Sequence, residues 1–291
     1  MDKLVHTFSI VAYDPGKDEW GVAVQSKFLA AAAVVSWARA KAGAVATQSF
    51  ANVTYGFRGL DLMEAGMSAE ETIQALIKED PDKDQRQVGM VDKDGQAAAF
   101  TGDGCYDWAG HVIGEGFSCQ GNILVPGTVQ AMAERFEQVR GRDGELADWL
   151  VLALEAGQEV GGDKRGRQAA GVLVVRQNGG YGGDNDRYLD LRVDDHPYPI
   201  LKLKQLVDNH HLFFGEVDPA DLVPLNTVIT ELQGVLLKTG HLTGKPSGKV
   251  AQESLAALRA LVGEENLEER WNGDEKAIDQ KVVDFLSDKF S

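Results

Sequence analysis

Two side-chain amides flank a glycine in the segment Gln120-Gly121-Asn122. Carboxamide N–H groups can stabilise the oxyanion that forms when a carbonyl is attacked, and the glycine lets a ligand approach the backbone closely. Gln48 and Asn52 follow an apolar run and bring the same chemistry. These amides predict a site that binds and polarises a polar substrate, with ordinary polar turns as the alternative.

Metal and cofactor chemistry lacks a matching sequence pattern. His210 and His211 are adjacent, so on a helix they point to different faces and do not form the i, i+4 pair that binds zinc. Asp184-Asn185-Asp186 lacks the glycine and the distal glutamate of a calcium loop. Cys105 and Cys119 form no CxxC motif and no disulfide framework. We therefore predict a protein that uses no metal and no organic cofactor.

Composition restricts the partners. The chain has 291 residues, of which 43% are hydrophobic, so it can bury a core. Its 29 Lys and Arg residues against 45 Asp and Glu give a formal charge of −16, which repels phosphate backbones. No apolar run approaches the ~18 residues of a membrane span or forms a signal-peptide core. We predict a cytoplasmic homo-oligomer that binds a small molecule, and neither nucleic acid nor membrane.

Short apolar runs and turns predict strands, two helices, strands, two helices and strands. Residues 8–13 and 20–24 form a hairpin around Asp14-Pro15-Gly16. Further strands are expected at residues 34–40, 43–49, 87–91, 96–101, 111–125, 169–176 and 187–193. Ser68 and Glu71 predict a capping box, and Gly157 predicts a helix end. Because the strands are apolar on both faces, we predict an α+β fold, a four-layer α-β-β-α sandwich.

The sequence changes character beyond Pro197. Residues 198–214 have a helical pattern, and Val217-Asp218-Pro219 predicts a linker. Three further helical patterns cover residues 225–237, 247–262 and 276–290. We therefore predict a sandwich domain over residues 1–215 and a small helical domain over residues 216–291.

Several segments carry a resemblance to a known family. They are His6-Thr7-Phe8-Ser9-Ile10, Gly21 to Phe28, Gly43 to Gln48, Asp107 to His111, Gln120-Gly121-Asn122 and Asn185 to Tyr188. Together they resemble a bacterial family, the domain of unknown function 1028, which is placed in the N-terminal-nucleophile hydrolase superfamily. The resemblance covers roughly residues 5–215 and implies the same four-layer sandwich.

The tail resembles a different module. Glu231-Leu232-Gln233, Gly240-His241-Leu242 and the apolar residues around Leu258 are similar to a peptidoglycan-binding-type helical domain. This similarity implies a peptidoglycan fragment as a partner. The alternative is a small helical bundle that caps or dimerises the protein.

The family resemblance implies a nucleophile at the first residue of a processed chain, whose own α-amine takes the proton. Thr7 heads the first predicted strand, where the superfamily places this nucleophile, and Ser9 lies on the same face. Six residues precede Thr7. Without cleavage Thr7 has no free amine, and Lys27 beside the first strand is then the expected base. The alternative for Lys27 is a lysine that extends into solvent from a strand end.

The remaining candidates are expected to bind the substrate. Ser26 ends the second predicted strand, next to Lys27. Asp186 and Arg187 belong to a segment that matches the family, and their alternative role is to pair with each other. Gln48, Asn52 and Gln120 complete this group.

We therefore predict a hydrolase of a C–N bond in an amide, lactam or ureide of a small metabolite. Thr7, Lys27 and Asn122 are the predicted catalytic residues, in a pocket between the two sheets. One alternative is a ligand-binding or scaffold protein that kept the fold and lost the processing step. Another is a peptidase that acts on cell-wall peptides, which depends on the tail alone.

Overall fold

The structure is a computed structural model that describes residues 7–291. The chain divides into two compact units, the first ending at Val207 and the second comprising Asp208–Ser291. Their boundary lies inside a helix, eight residues before the boundary expected from the sequence. Within residues 7–291, no helix combines the length and the apolar character needed to cross a membrane.

The elements have the following bounds. The strands are β1 (Thr7–Asp14), β2 (Glu19–Ser26), β3 (Ser36–Arg39), β4 (Gly43–Ser49), β5 (Arg86–Asp92), β6 (Ala97–Thr101), β7 (Gly110–Gly114), β8 (Phe117–Gly121), β9 (Ala169–Val175), β10 (Arg187–Val193), β11 (Leu222–Pro224) and β12 (Ala277–Asp279). The helices are α1 (Ala32–Val35), α2 (Thr54–Glu64), α3 (Ala69–Glu79), α4 (Thr128–Val139), α5 (Leu146–Val160), α6 (Pro199–Phe214), α7 (Leu225–Lys238), α8 (Gln252–Glu264) and α9 (Gln280–Lys289). Short 3₁₀ turns lie at Lys83–Gln85, Tyr181–Gly183 and Pro219–Asp221.

Two antiparallel sheets form the first unit. The larger has the strand order β10-β9-β2-β1-β8-β7, and the smaller has the order β3-β4-β5-β6. In the larger sheet β1 is central, paired with β2 from Thr7 opposite Ser26 and with β8 from Phe8 opposite Gly121. Thr7, the first residue of β1, therefore lies between the ends of β2 and β8, near the predicted site.

Both sheets are covered on both faces. Phe8 and Ile10 of the larger sheet pack against α4 and α5. Val11 and Val22, on its opposite face, pack with Ala46 of the smaller sheet. The outer face of the smaller sheet packs against α2 and α3. This double coverage explains why the strands are apolar on both faces.

Three predicted elements are corrected by the structure. Residues 34–40 divide between the short helix α1 and the strand β3. Residues 111–125 form two strands, because Gly116 turns the chain with φ +75°. Gly157 does not end α5, which continues to Val160. A Cβ at Gly157 would lie 2.7 Å from Met132 Cγ, so this glycine allows α4 and α5 to pack closely. The predicted capping box of Ser68 and Glu71 is confirmed.

The second unit is mainly helical. Helices α7, α8 and α9 share a core that includes Leu232, Leu258 and Leu286, and β11 pairs with β12. The buried Arg270 guanidinium forms an ion pair of 2.6 Å with Asp279. The buried Gln233 side chain bonds to the segment that precedes α8, including the backbone N–H of Ser247 at 2.8 Å. These contacts satisfy the buried side chains of Arg270, Asp279 and Gln233.

Candidate functional site

A cluster of hydroxyls and carboxamides lies between the two sheets at the start of β1. Successive side chains of a strand point to opposite faces. Since Val11 faces the smaller sheet and Phe8 faces the helices, Thr7 and Ser9 face the smaller sheet. We define the polar network as the side chains of Thr7, Ser9, Ser26, Gln48, Gln87, Ser118, Gln120 and Asn122, all of which are fully buried.

Thr7 occupies one end of the polar network. Its hydroxyl donates to Ser26 Oγ at 3.1 Å, as the strand register requires. Its carbonyl oxygen accepts from the backbone N–H of Asn122 at 3.1 Å and from Gln48 Nε2 at 3.4 Å. Thr7 is therefore held on both its hydroxyl and its carbonyl by residues predicted from the sequence.

Ser9 connects the two sheets. Its hydroxyl donates to Gln48 Oε1 at 2.6 Å and accepts from Gln120 Nε2 at 2.7 Å. Gln120 Oε1 in turn accepts from the Ser118 hydroxyl at 2.9 Å. Gly89 makes this approach of the sheets feasible, because a Cβ there would lie 2.0 Å from Gln120 Oε1.

Gln87 joins the parts of the polar network and was not predicted. Its Oε1 accepts from Gln48 Nε2 at 2.9 Å and from Asn122 Nδ2 at 3.0 Å. Its Nε2 lies 2.8 Å from the carbonyl oxygen of Gly121 and 3.0 Å from Thr101 Oγ1. A glutamine at the start of an otherwise apolar buried strand was the available signal.

His111 was also missed as a candidate. Its Nδ1 lies 2.9 Å from Thr101 Oγ1, which accepts from Gln87 Nε2. The side chain of His111 is exposed, and partial desolvation by its neighbours lowers the pKa of its imidazole. With the neutral ring, Thr101 can donate its hydroxyl to Nδ1, whereas a protonated ring donates from both nitrogens. His111 is thus the titratable group at the outer end of a hydrogen-bond chain that reaches the polar network.

Lys27 lies one residue beyond the end of β2, and the contacts of its side chain lie away from Thr7. Strand β2 ends at Ser26, and the Lys27 backbone N–H donates to Asp163 Oδ2 at 3.0 Å. The exposed Lys27 side chain places Nζ 3.4 Å from the carbonyl oxygen of Arg167. Its ammonium group makes no hydrogen bond to the polar network, so this geometry does not provide the expected base.

The other three candidates have local contacts elsewhere. Asn52 Oδ1 accepts from the Thr54 backbone N–H at 3.1 Å, at the start of α2. Asp186 Oδ1 accepts from the backbone N–H of Asn178 at 2.9 Å. The exposed Arg187 pairs with Asp190 at 3.4 Å rather than with its neighbour Asp186. These contacts stabilise a helix start and the turn between β9 and β10.

The polar network carries no ionisable acid or base among its eight side chains. Asn122 Oδ1 is buried and has no hydrogen-bond partner, so it is an acceptor that a ligand N–H could satisfy. In the part of the chain that the structure describes, no group of three or more His, Cys, Asp or Glu residues is arranged to hold a metal ion.

Comparison with known proteins identifies the family. Residues 7–203 match the model of a family of unknown function, DUF1028, so the chain belongs to this family. Residues 212–286 match the model of a proposed peptidoglycan-binding domain. A crystal structure of a DUF1028 protein from Silicibacter pomeroyi is similar with a TM-score of 0.63 and 29% sequence identity, over 72% of this chain and 91% of that one. No curated protein matches the chain.

Proposed function

We propose that the protein hydrolyses a C–N bond of a small amide, lactam or ureide, with Thr7 as the nucleophile after cleavage of the bond between His6 and Thr7. We further propose that the two sheets and their helices form the four-layer α-β-β-α sandwich of the N-terminal-nucleophile hydrolases. One observation carries the proposal. Thr7 heads the central strand β1, its hydroxyl is bonded to Ser26, and its carbonyl oxygen accepts from the Gln48 carboxamide.

The chemistry uses only groups of the chain. Cleavage gives Thr7 a free α-amine, whose reference pKa of about 7.7–8.0 leaves part of it neutral at cellular pH. The amine takes the proton of Thr7 Oγ1 while this oxygen attacks the substrate carbonyl carbon. Collapse of the tetrahedral intermediate expels the amine product and leaves an ester on Thr7. Water then attacks the ester, and the acid product leaves.

The carboxamides have two roles in this proposal. The Gln48 carboxamide and the Asn122 backbone N–H both donate to the carbonyl oxygen of Thr7, and we assign the side-chain amides of these two residues as the donors for the oxyanion. Loss of one such donor typically costs about 3 kcal/mol of transition-state stabilisation. Asn122 Oδ1 is the acceptor for the substrate N–H, because it lacks a partner. A neutral polar network suits a neutral reacting group such as an amide or ureide.

Lys27 has no part in the proton transfer that we propose. Its exposed side chain extends towards the carbonyl oxygen of Arg167. The α-amine that cleavage creates is attached to the Cα of Thr7, in the same residue as Oγ1, whereas the Lys27 ammonium makes no hydrogen bond to the polar network. The proposal therefore requires cleavage.

Acylation of Thr7 by a β-lactone tests the nucleophile without knowledge of the substrate. We expect the wild-type protein and Thr7→Ser to gain the mass of one probe, with the adduct at residue 7. Thr7→Ala removes the hydroxyl and should gain none. Because Thr7 is buried and bonded to Ser26, this variant should also lose about 1 kcal/mol of stability, so folding is checked by circular dichroism. Equal labelling of folded Thr7→Ala would refute the nucleophile.

Burial of the whole polar network favours a second candidate, a ligand-binding protein without catalysis. Thr7 is fully buried with six residues before it in the chain. In this alternative the chain keeps these residues, and Thr7 is a structural hydrogen-bond donor. A chain that is neither cleaved nor labelled by the β-lactone, yet folded, would favour this candidate.

The second unit supports a further partner. Its match to a proposed peptidoglycan-binding domain over residues 212–286 makes a peptidoglycan fragment a candidate ligand, and a cell-wall peptide a candidate substrate. Titration of the full chain with a muropeptide, followed by NMR, tests this. We expect shifts confined to residues 212–286, and an unchanged spectrum would exclude this partner.

A further inference from the structure

An exposed, positively charged segment lies at the start of β1. Lys27 follows the end of β2, and Lys164 and Arg167 belong to the loop between α5 and β9. All three side chains are exposed. The formal charge of the whole chain is −16.

Backbone hydrogen bonds attach this loop to the ends of the strands that flank Thr7. The Gln168 N–H donates to the Ser26 carbonyl oxygen at 3.0 Å. The Lys164 N–H donates to the carbonyl oxygen of Ile123, the residue after Asn122, at 3.1 Å. Lys27 and Arg167 are therefore next in the chain to Ser26 and Gln168, which are anchored beside the polar network, and Lys164 is anchored through its own backbone N–H.

These cations lack carboxylate partners. Lys27 Nζ and Lys164 Nζ each lie 3.4 Å from a backbone carbonyl oxygen, and the Arg167 guanidinium lies over the Tyr198 ring at 5.2 Å. Among residues 7–291, none of the three forms an ion pair with Asp or Glu. The buried carboxylate of this loop, Asp163, is already bound by Arg165 at 2.8 Å.

We propose that Lys27, Lys164 and Arg167 bind an anionic group of the substrate, a carboxylate or a phosphate, while the C–N bond of the same molecule reaches Thr7. The link to Thr7 rests on the function proposed above. The polar network and the cations therefore have different roles in binding the substrate. The polar network is neutral and provides no counter-ion, whereas ammonium and guanidinium groups provide strong donors to oxyanions.

The rest of the surface adds to the selectivity of this cationic site. A net charge of −16 repels small anions from most of the molecule, so an anion is favoured only where cations are locally in excess. Lys27 thus changes from an expected base to a residue that orients the substrate. A substrate with an acid group at one end and an amide or ureide at the other satisfies both sites.

Matched probes test the cationic site on the full-length Thr7→Ala chain, which separates binding from hydrolysis. N-acetylglycine carries a carboxylate, N-acetylglycinamide is its neutral counterpart, and inorganic phosphate is the second anion. Binding is followed by the amide NMR shifts of residues 163–168. We expect at least one anion to bind about tenfold more tightly than the neutral amide. Which anion binds distinguishes a carboxylate from a phosphate.

Variants of the cations complete the test. Lys164→Gln combined with Arg167→Gln should abolish the preference for the anion. The control, Lys78→Gln combined with Lys93→Gln, removes the same charge from exposed lysines outside this loop and should retain the preference. Equal or absent binding of anions and the neutral amide, or a preference that survives the loop variants, would overturn the proposal. Hydrolysis of neutral amides by wild type with no anion preference would refute this inference and leave the nucleophile intact.

Discussion

Gln87 has more side-chain hydrogen bonds than any other member of the polar network. Its oxygen accepts from both Gln48 and Asn122, and its nitrogen reaches Thr101 and Gly121. An apolar side chain of similar size would leave several buried donors and acceptors unsatisfied. The cost of an unsatisfied buried group is about 1–3 kcal/mol, so this residue is the point at which the polar network is most easily disrupted.

We expect Gln87→Leu to lower the free energy of unfolding by about 3 kcal/mol, measured by urea denaturation. Gln96→Leu is the matched control, because the Gln96 side chain is exposed, and it should change stability by less than about 0.5 kcal/mol. A Gln87→Leu protein as stable as the control would show that the polar network contributes nothing to the fold.

At the scale of the elements, the contact between β5 and β8 brings the two sheets together at the site. Gly89 of β5 lies where a Cβ would be 2.0 Å from Gln120 Oε1 and 2.6 Å from Ser118 Oγ. Both of these atoms belong to the polar network. A methyl group at this position must therefore push the sheets apart or displace Gln120.

We predict that Gly89→Ala destabilises the protein by about 1–3 kcal/mol, as overpacking of a buried site does. Gly234→Ala is the control within α7, where a Cβ would meet nothing within 4 Å. This change should stabilise the protein by about 0.5–1 kcal/mol, because alanine favours helix. Thermal unfolding compares the two variants, and a tolerated Gly89→Ala would contradict the close approach of the sheets.

The sequence predicted six of the eight members of the polar network and missed Gln87 and Ser118. Thr7 and Ser9 share a face because strand side chains alternate, and Gln120 with Asn122 was visible as a local amide pattern. Gln87 was missed because its partners lie on other strands, 14 to 39 residues away in the sequence. Local patterns do not contain such tertiary contacts.

Lys27 shows the same limit more clearly. Its position beside Ser26 suggested a base, but its backbone bonds to Asp163, 136 residues later in the chain. The α5–β9 loop therefore determines the surroundings of this lysine. The overall order of strands and helices was predictable, because periodicity is a local property. The extra turn at Gly116 and the short helix α1 were missed, since each lies inside a segment that was predicted as a single strand.

At the scale of the whole molecule, a buried carboxylate makes stability depend on pH. Glu19 is fully buried, its Oε1 pairs with Arg176 at 2.7 Å, and its Oε2 has no hydrogen-bond partner. Burial raises the pKa of Glu19 to about 7, against the opposing effect of Arg176 and with a smaller contribution from the nearby Glu145. The folded protein therefore holds a proton that the unfolded chain releases near pH 4.3.

Because the folded state binds more protons between about pH 4.3 and 7, the contribution of Glu19 to stability falls as the pH rises through this window. Glu19→Gln removes this loss. Relative to wild type, the free energy of unfolding of this variant, measured by urea denaturation, should increase by up to about 3 kcal/mol between pH 5 and pH 8. Comparing the two proteins cancels the opposite effect of His111, whose pKa is lowered by partial desolvation. A constant difference between them would contradict the raised pKa.

The intact mass of the freshly purified wild-type chain, together with its N-terminal sequence, tests the central claim most directly. The proposed mechanism predicts a chain that begins at Thr7, because only cleavage before this residue creates the α-amine that activates its hydroxyl. Thr7→Ala should keep the preceding residues, and Thr7→Ser should lose them. A folded wild-type chain that still carries His6 would contradict the account and leave the protein as a ligand-binding member of its family.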